Sequence, residues 1–156
     1  MIYLPHIFQD VKCRTSMFSN SFYPNATWLW NNVVSTTFGV HDPIYLRYIF
    51  QLRTCLSNLR SHKKRHNFAD TPSDKCLCNL GIEDSNHFFM TCPFYTTHRQ
   101  MLVTTVREIL VKNNLDNSLI NVNLYLYGHP SLNNSDNQNV LYETMNYIKK
   151  TNRFTT

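Results

Sequence analysis

Glycine is scarce: the chain of 156 residues contains 3. A sandwich of many short strands needs more turn glycines than that, so the shortage argues against a turn-rich all-β fold and favours helices. Long apolar runs are missing too. None approaches the roughly 18 residues that a membrane-spanning helix requires. The opening MIYLPHIFQD has no basic start and places Pro5 and His6 inside its apolar stretch, so no secretory leader is expected. Without export, the sequons at Asn25-Ala26-Thr27 and Asn133-Asn134-Ser135 carry no weight. The expectation is an intracellular protein, nuclear or cytoplasmic, with neither a membrane nor a small-molecule substrate as partner. No Ser/His/Asp set, phosphate-binding glycine loop or second carboxylate cluster offers catalytic chemistry, so an enzyme is not expected.

Acidic residues are absent between Asp42 and Asp70, whereas Arg47, Arg53, Arg60, Lys63, Lys64 and Arg65 all fall there. The formal net charge of the chain is +5, so this block concentrates its positive field and makes a polyanion a natural partner. Hydrophobic residues make up 42% and aromatics 13%, enough to build a core rather than a disordered chain. The 5 cysteines are an odd number in a chain without export signals, which favours reduced thiols or metal ligands over a disulfide framework.

The expected fold class is mainly α: a small helical domain with a zinc-knuckle hairpin-helix insert between two longer helices, plus an irregular N-terminal segment. Three stretches organise it. Residues 1–41 lack period but carry Phe22, Tyr23, Trp28, Leu29 and Trp30, which need something to pack against. Residues 42–115 hold a helix, the basic stretch, the cysteine segment and a second helix. Residues 116–156 form a connector and a C-terminal helix. Asp42-Pro43 is a helix start signal, and Tyr45, Tyr48, Ile49, Leu52, Leu56 and Leu59 recur at helical spacing, predicting a helix to about Ser57 or beyond. Pro93 opens the next, with Phe94, Met101, Leu102, Val106, Ile109 and Leu110 as its buried face up to about Asn113. NVNLYLYGHP alternates weakly and reads as a short strand or extended segment ending at Gly128. Ser135 and Gln138 form a capping box opening a helix through Val140, Leu141, Thr144, Ile148 and Thr151.

The most informative stretch is DKCLCNLGIEDSNHFFMTC, with Cys76, Cys78, His87 and Cys92 in the spacing C-x-C-x8-H-x4-C. Thiolates and imidazole are the donors a tetrahedral zinc site takes. The two cysteines on one side of an extended strand, a hairpin turn at Gly81, and a turn of helix capped by Asp84 or Ser85 would bring the donors together. The first gap, one residue, is tight, Cys92 stands five residues from His87 rather than four, and the competing reading is a cluster of core cysteines. Cys55 reads as core and Cys13 has no partner in sequence. His62 and His66 are spare ligands or solvated residues, and His98 and His129 have no specific case. In LRSHKKRHNF the cations Arg60, Lys63, Lys64 and Arg65, with Arg53 upstream, suit phosphate contacts, the alternative being a solvated face. Phe68 reads as core rather than as a stacking platform.

Taken together, FGVHDPIYLRYIFQLRTCLSNLRSHKKRHNFADT, then CLC, then EDSNHFFMTCPFYTTHR resembles the C-terminal region of the reverse-transcriptase polyprotein of non-LTR (LINE-type, jockey- and CR1-like) retrotransposons. The matching positions are Leu52-Arg53, His62 to Phe68, Cys76, Cys78, Glu83, His87, Phe88, Cys92, Pro93 and Arg99, and RTSMFSNSFYPNATWLWN is similar to the stretch preceding them. The resemblance implies a CCHC zinc knuckle, with a structural Zn2+ on Cys76, Cys78, His87 and Cys92. It implies RNA or DNA as partner, single-stranded or structured, held during target-primed reverse transcription. The chain departs from the family in a shortened stretch before FGVHDP, consistent with an internal deletion. It also lacks the polymerase's Asp-Asp pair: FADT at Phe68 to Thr71 has Thr71 where a second aspartate would hold catalytic metal. The expectation is a nucleic-acid-binding tail without the polymerase (RNA-directed DNA polymerase) itself. The alternatives are an inert decayed fragment, or a zinc-stapled structural or interaction domain.

Overall fold

A computed structural model of the chain describes residues 43–154. Asp42, Cys13 and the aromatic group around Trp28 and Trp30 lie outside the described residues. Helix α1 spans Pro43–Arg53 and α2 spans Arg60–Arg65. A hairpin follows, then a π-helical turn at His87–Thr91 and a 3-10 turn at Pro93–Tyr95. Helix α3 spans Thr96–Lys112, a 3-10 turn covers Asn117–Leu119, α4 spans Val122–Tyr127 and α5 spans Asn134–Thr151. The described residues are thus mainly helical, and their only β-pairing is the antiparallel bridge between Lys75 and Ile82.

Helix α5 is the centre of the packing, touching α3, α4 and α1. That position explains its wide apolar face: Val140, Leu141, Thr144, Met145, Tyr147 and Ile148 are all buried. A helix with neighbours on several sides needs more than the narrow stripe of a surface helix. Tyr48, Ile49 and Leu52 of α1, Leu102, Val106, Ile109 and Leu110 of α3, and Leu124, Tyr125 and Leu126 of α4 complete one core. Each fully buried aliphatic side chain contributes about 1.5–3 kcal/mol by leaving water.

The scarcity of glycine is answered by asparagine. Asn67, Asn79, Asn114 and Asn152 all hold positive φ, between 49° and 63°. Asparagine tolerates the left-handed region better than other residues with a Cβ. At the end of α3, the Asn114 N–H donates to the Val111 carbonyl (3.0 Å) and the Leu115 N–H to the Leu110 carbonyl (2.9 Å), the paired bonds of a Schellman motif.

Several boundaries differ from the sequence expectation. Helix α1 stops at Arg53, because Cys55 adopts φ 56° and the Leu56 N–H turns back to the Gln51 carbonyl (2.9 Å). Leu56 is therefore exposed, Leu59 is buried from the following segment, and Cys55 is half-buried rather than core. Phe94 and Met101 are exposed, since the 3-10 turn offsets the start of α3 and its buried stripe begins at Leu102. NVNLYLYGHP is helical, not extended: Asn121 Oδ1 accepts from the Leu124 N–H (3.1 Å) and tertiary burial of Leu124, Tyr125 and Leu126 decides the state. Its Gly128 is required: φ is 75° and a Cβ there would lie 2.3 Å from Asn137 Oδ1. The N-cap of α5 is Asn133, not Ser135, with its Oδ1 accepting from the Asp136 N–H (2.9 Å).

Candidate metal centre

The four donors arrive from two short pieces of chain. In the first, the Cys76 N–H donates to the Gly81 carbonyl (2.8 Å) and the Asn79 N–H to the Cys76 carbonyl (3.0 Å). Cys76 and Cys78 therefore share a tight turn rather than alternating along a strand, which is how a one-residue gap brings both thiols to one side. Asn79, at φ 63°, makes the turn that was expected of Gly81. Gly81 has another constraint: a Cβ there would sit 3.3 Å from His87 Nδ1, so the absence of a side chain lets the hairpin close over the imidazole.

In the second piece, Asp84 Oδ1 accepts from the His87 N–H (2.7 Å), fulfilling its expected role as cap. The Cys92 N–H then donates to the His87 carbonyl at 2.7 Å, five residues back. This widened turn resolves the long last gap. A π turn closes over five residues, so His87 and Cys92 face the same side, as four residues would allow in an α-helix. Phe88 and Phe89 between them are fully buried and anchor the turn among Tyr95, Tyr125, Tyr147 and Phe154.

Cys76, Cys78, His87 and Cys92 place their ligand atoms within 4.8 Å of one another. The Cys76 and Cys92 Sγ atoms are 3.8 Å apart, and Cys78 Sγ lies 3.1 Å from His87 Nε2. A tetrahedral ion with metal–sulfur bonds of about 2.3 Å spaces its sulfurs by about 3.8 Å, so these residues could hold a metal ion with small adjustments. His87 Nδ1 lies 3.0 Å from Thr91 Oγ1. With Nδ1–H donating to that hydroxyl, the Nε2 lone pair faces the thiols, the outer-shell arrangement typical of a ligating histidine.

Burial pushes the Cys76 thiol up to about 12 and raises that of Cys92. Burial also opposes ionisation of Cys78, but the Leu80 amide and the neighbouring thiols outweigh it and lower its pKa. In each case the backbone amide two residues on stabilises the thiolate: Cys78 for Cys76, Leu80 for Cys78, Phe94 for Cys92. Such a set accommodates several thiolates once a cation neutralises them.

Outer contacts lock this unit to the helices. Arg99 Nε donates to the Phe89 carbonyl (2.8 Å) and its Nη2 to the Cys92 carbonyl. Tyr147 Oη donates to the Phe88 carbonyl (2.6 Å). Arg99 and Tyr147 thus take the Phe89 and Phe88 carbonyls, whose α-helical and π-helical partner position, respectively, falls on Pro93, which has no N–H. The Cys92 carbonyl also accepts from the Tyr95 N–H (3.3 Å). Glu83, 3% exposed, accepts from Arg153 Nε and Nη2 at 2.7 and 2.6 Å and from the Arg60 N–H at 2.9 Å. Sequence reasoning gave no role to Tyr147, Arg153 or Glu83. A glutamate and an arginine separated by seventy positions show no local pattern.

The structure separates the basic residues. Arg53 is spent internally: its Nε donates to the Leu126 carbonyl (2.6 Å), its guanidinium lies over the Tyr127 ring, and burial lowers its pKa to about 10. It does not share the surface of α2. Arg60 is half-buried, and Lys63 pairs with Asp70 at 2.5 Å. Lys64, Arg65 and His66 are exposed, and Phe68 is exposed rather than core, with Lys63 Nζ 5.7 Å from its ring centroid. His62 is neither a ligand nor solvated. It is buried, its Nδ1 lies 2.7 Å from Ser57 Oγ, and burial lowers its pKa to about 4. No family model matches the chain, and neither does any curated protein or solved structure.

Proposed function

We propose that this chain is a nucleic-acid-binding protein built around a structural Zn2+ site, and that it is the tail of a non-LTR retrotransposon reverse transcriptase without the polymerase. The observation carrying the metal reading is the convergence of Cys76, Cys78, His87 and Cys92 within 4.8 Å. Three sulfurs and one nitrogen complete a tetrahedron, leaving no open position for water, so the ion would staple rather than catalyse. Two short, irregular pieces of chain meet there, and they need such a staple.

The nucleic-acid reading is supported by the continuity of the site with the basic surface. The Ser61 N–H donates to the Glu83 carbonyl (3.2 Å) and the Arg60 N–H to its carboxylate, so α2 is fixed to the metal hairpin. Lys64, Arg65, His66 and Phe68 then project outward as cations with an aromatic, suited to phosphates and an unpaired base. The retrotransposon reading rests on the order of the quoted residues. Purified chain is expected to contain one zinc and to bind single-stranded RNA or DNA with an affinity that falls steeply with salt. Lys64→Ala/Arg65→Ala should reduce the slope of log K against log salt by about 2 in magnitude. Metal-free, folded protein would contradict the zinc site, and an unchanged salt slope would contradict the interface. Zinc without any salt-dependent binding would instead favour a zinc-stapled scaffold, which the contacts from Arg99, Tyr147 and Arg153 also accommodate.

A further inference from the structure

Beside the metal hairpin is a cleft of about 260 Å³ lined by Asn58, Arg60, Lys63, Asp70, Thr71 and Arg153. Its cations differ in how firmly they are held. Arg153 is bound by both oxygens of buried Glu83 and also donates to the Asn58 carbonyl (3.0 Å). Arg60 is bound by nothing through its side chain among the described residues, and its buried Nε has no hydrogen-bond partner. Among the described residues Lys63 has Asp70 as its one counter-charge, beside the Phe68 ring, and that carboxylate also accepts from Thr71 Oγ1 (3.1 Å). The two acids are unlike: the Glu83 side chain is 3% exposed and fixed from several sides, whereas that of Asp70 is 62% exposed.

We propose that this cleft is a seat for one phosphate group, with Arg60, Lys63 and Arg153 as its cations and the Thr71 hydroxyl as a neutral donor, and that Asp70 occupies it until a phosphate arrives. Three cations converge on a polar recess, more than two carboxylates neutralise, and an ammonium and a hydroxyl already grip a carboxylate there. A phosphate offers anionic acceptor oxygens of the same kind, as many as a carboxylate in an internal diester and more, with more charge, at a chain end. An exposed lysine–aspartate pair is weak enough to be exchanged. Swinging Asp70 out leaves Lys63 and Arg60 without counter-charges while Glu83 keeps Arg153 in place. The seat deepens the nucleic-acid reading above and rests on it for the source of the phosphate, an internal diester or a chain end.

The test uses the full zinc-loaded chain and three probes: inorganic phosphate, a single-stranded oligonucleotide with a 5′-phosphate, and the same oligonucleotide without it. Phosphate is expected to move the Arg60 Nε–Hε signal in NMR. Asp70→Asn should bind the oligonucleotide about three- to tenfold more tightly than wild type, whereas Glu108→Gln, the same charge change on α3, should gain less than about twofold. Arg60→Gln should erase the gain from Asp70→Asn, and among the described residues its side chain has no protein acceptor whose loss would disturb the fold. Preference for the 5′-phosphorylated probe supports a chain end, and equal binding supports an internal diester. If phosphate moves Arg60 while neither oligonucleotide binds at low salt, the seat stands and the nucleic-acid reading falls. If oligonucleotides bind but Asp70→Asn matches Glu108→Gln, or phosphate leaves Arg60 unmoved, the seat is overturned.

Discussion

Two small residues decide whether the metal donors can meet. Gly81 leaves His87 Nδ1 room that a methyl group would enter at 3.3 Å, and Thr91 supplies the hydroxyl 3.0 Å from that nitrogen. Thr91→Val keeps the shape of an exposed side chain and removes the hydroxyl. It should lower metal affinity about 10- to 100-fold with little effect on the helices, measured by competition with a chromophoric chelator. Gly81→Ala should weaken metal binding more than it alters helix content by circular dichroism, because the hairpin or the imidazole must shift by a few tenths of an ångström. That Cys76, Cys78, His87 and Cys92 come together was legible in the sequence, since they sit within nineteen residues. These two supporting residues were not, because their role exists only after the hairpin folds over the histidine.

Helix ends give the clearest case of local chemistry that can be read in hindsight. Asn67, Asn114 and Asn152 take the left-handed positions where glycine is usual, so a single asparagine marks the stop after each of α2, α3 and α5. Asn114→Ala should cost about 1 kcal/mol in a urea melt, whereas Asn114→Gly should stay within about 0.5 kcal/mol of wild type. The stop of α1 carried no such mark, because Cys55 has no special aptitude for φ 56°. Tertiary packing overrode propensity there, as it did in α4, where weak alternation hid a buried helical face. Helix α2 adds a pH dependence. Burial first, then the nearby Arg65 charge, lowers the His62 pKa to about 4, below its ordinary value of 6.5. The unfolded state therefore takes up a proton first as pH falls. His62 supports folding fully above pH 6.5, and this support is lost through the window down to about 4, by up to about 3 kcal/mol. Comparing urea melts of zinc-saturated wild type and His62→Gln should show the excess loss in that window. Parallel curves would contradict it.

Across the whole molecule, the two pieces that carry the candidate metal donors are tied to a helical core to which only the second contributes large side chains, Phe88 and Phe89. Arg153, just past the end of α5, reaches Glu83 on the hairpin, and Tyr147 and Arg99 hold the π turn. Arg153→Ala leaves Glu83 as a buried carboxylate without its bidentate partner and should destabilise the fold by about 3–5 kcal/mol. Arg153→Ala/Glu83→Gln should recover part of that loss, since it removes the uncompensated charge. One core drew on residues from both 42–115 and 116–156, a union no periodicity along the chain could announce. The mainly helical class itself followed from the scarce glycine and the three- and four-residue spacing.

All of these contacts converge on a site expected to take a four-coordinate cation through three sulfurs and one nitrogen. Loading the metal-free chain with Co2+ would make such coordination visible. One equivalent of Co2+ should produce the intense visible bands of a tetrahedral ion with thiolate charge transfer, and Cys78→Ser should weaken both. A weak octahedral spectrum, or Co2+ that leaves spectrum and fold unchanged, would contradict the account at its centre.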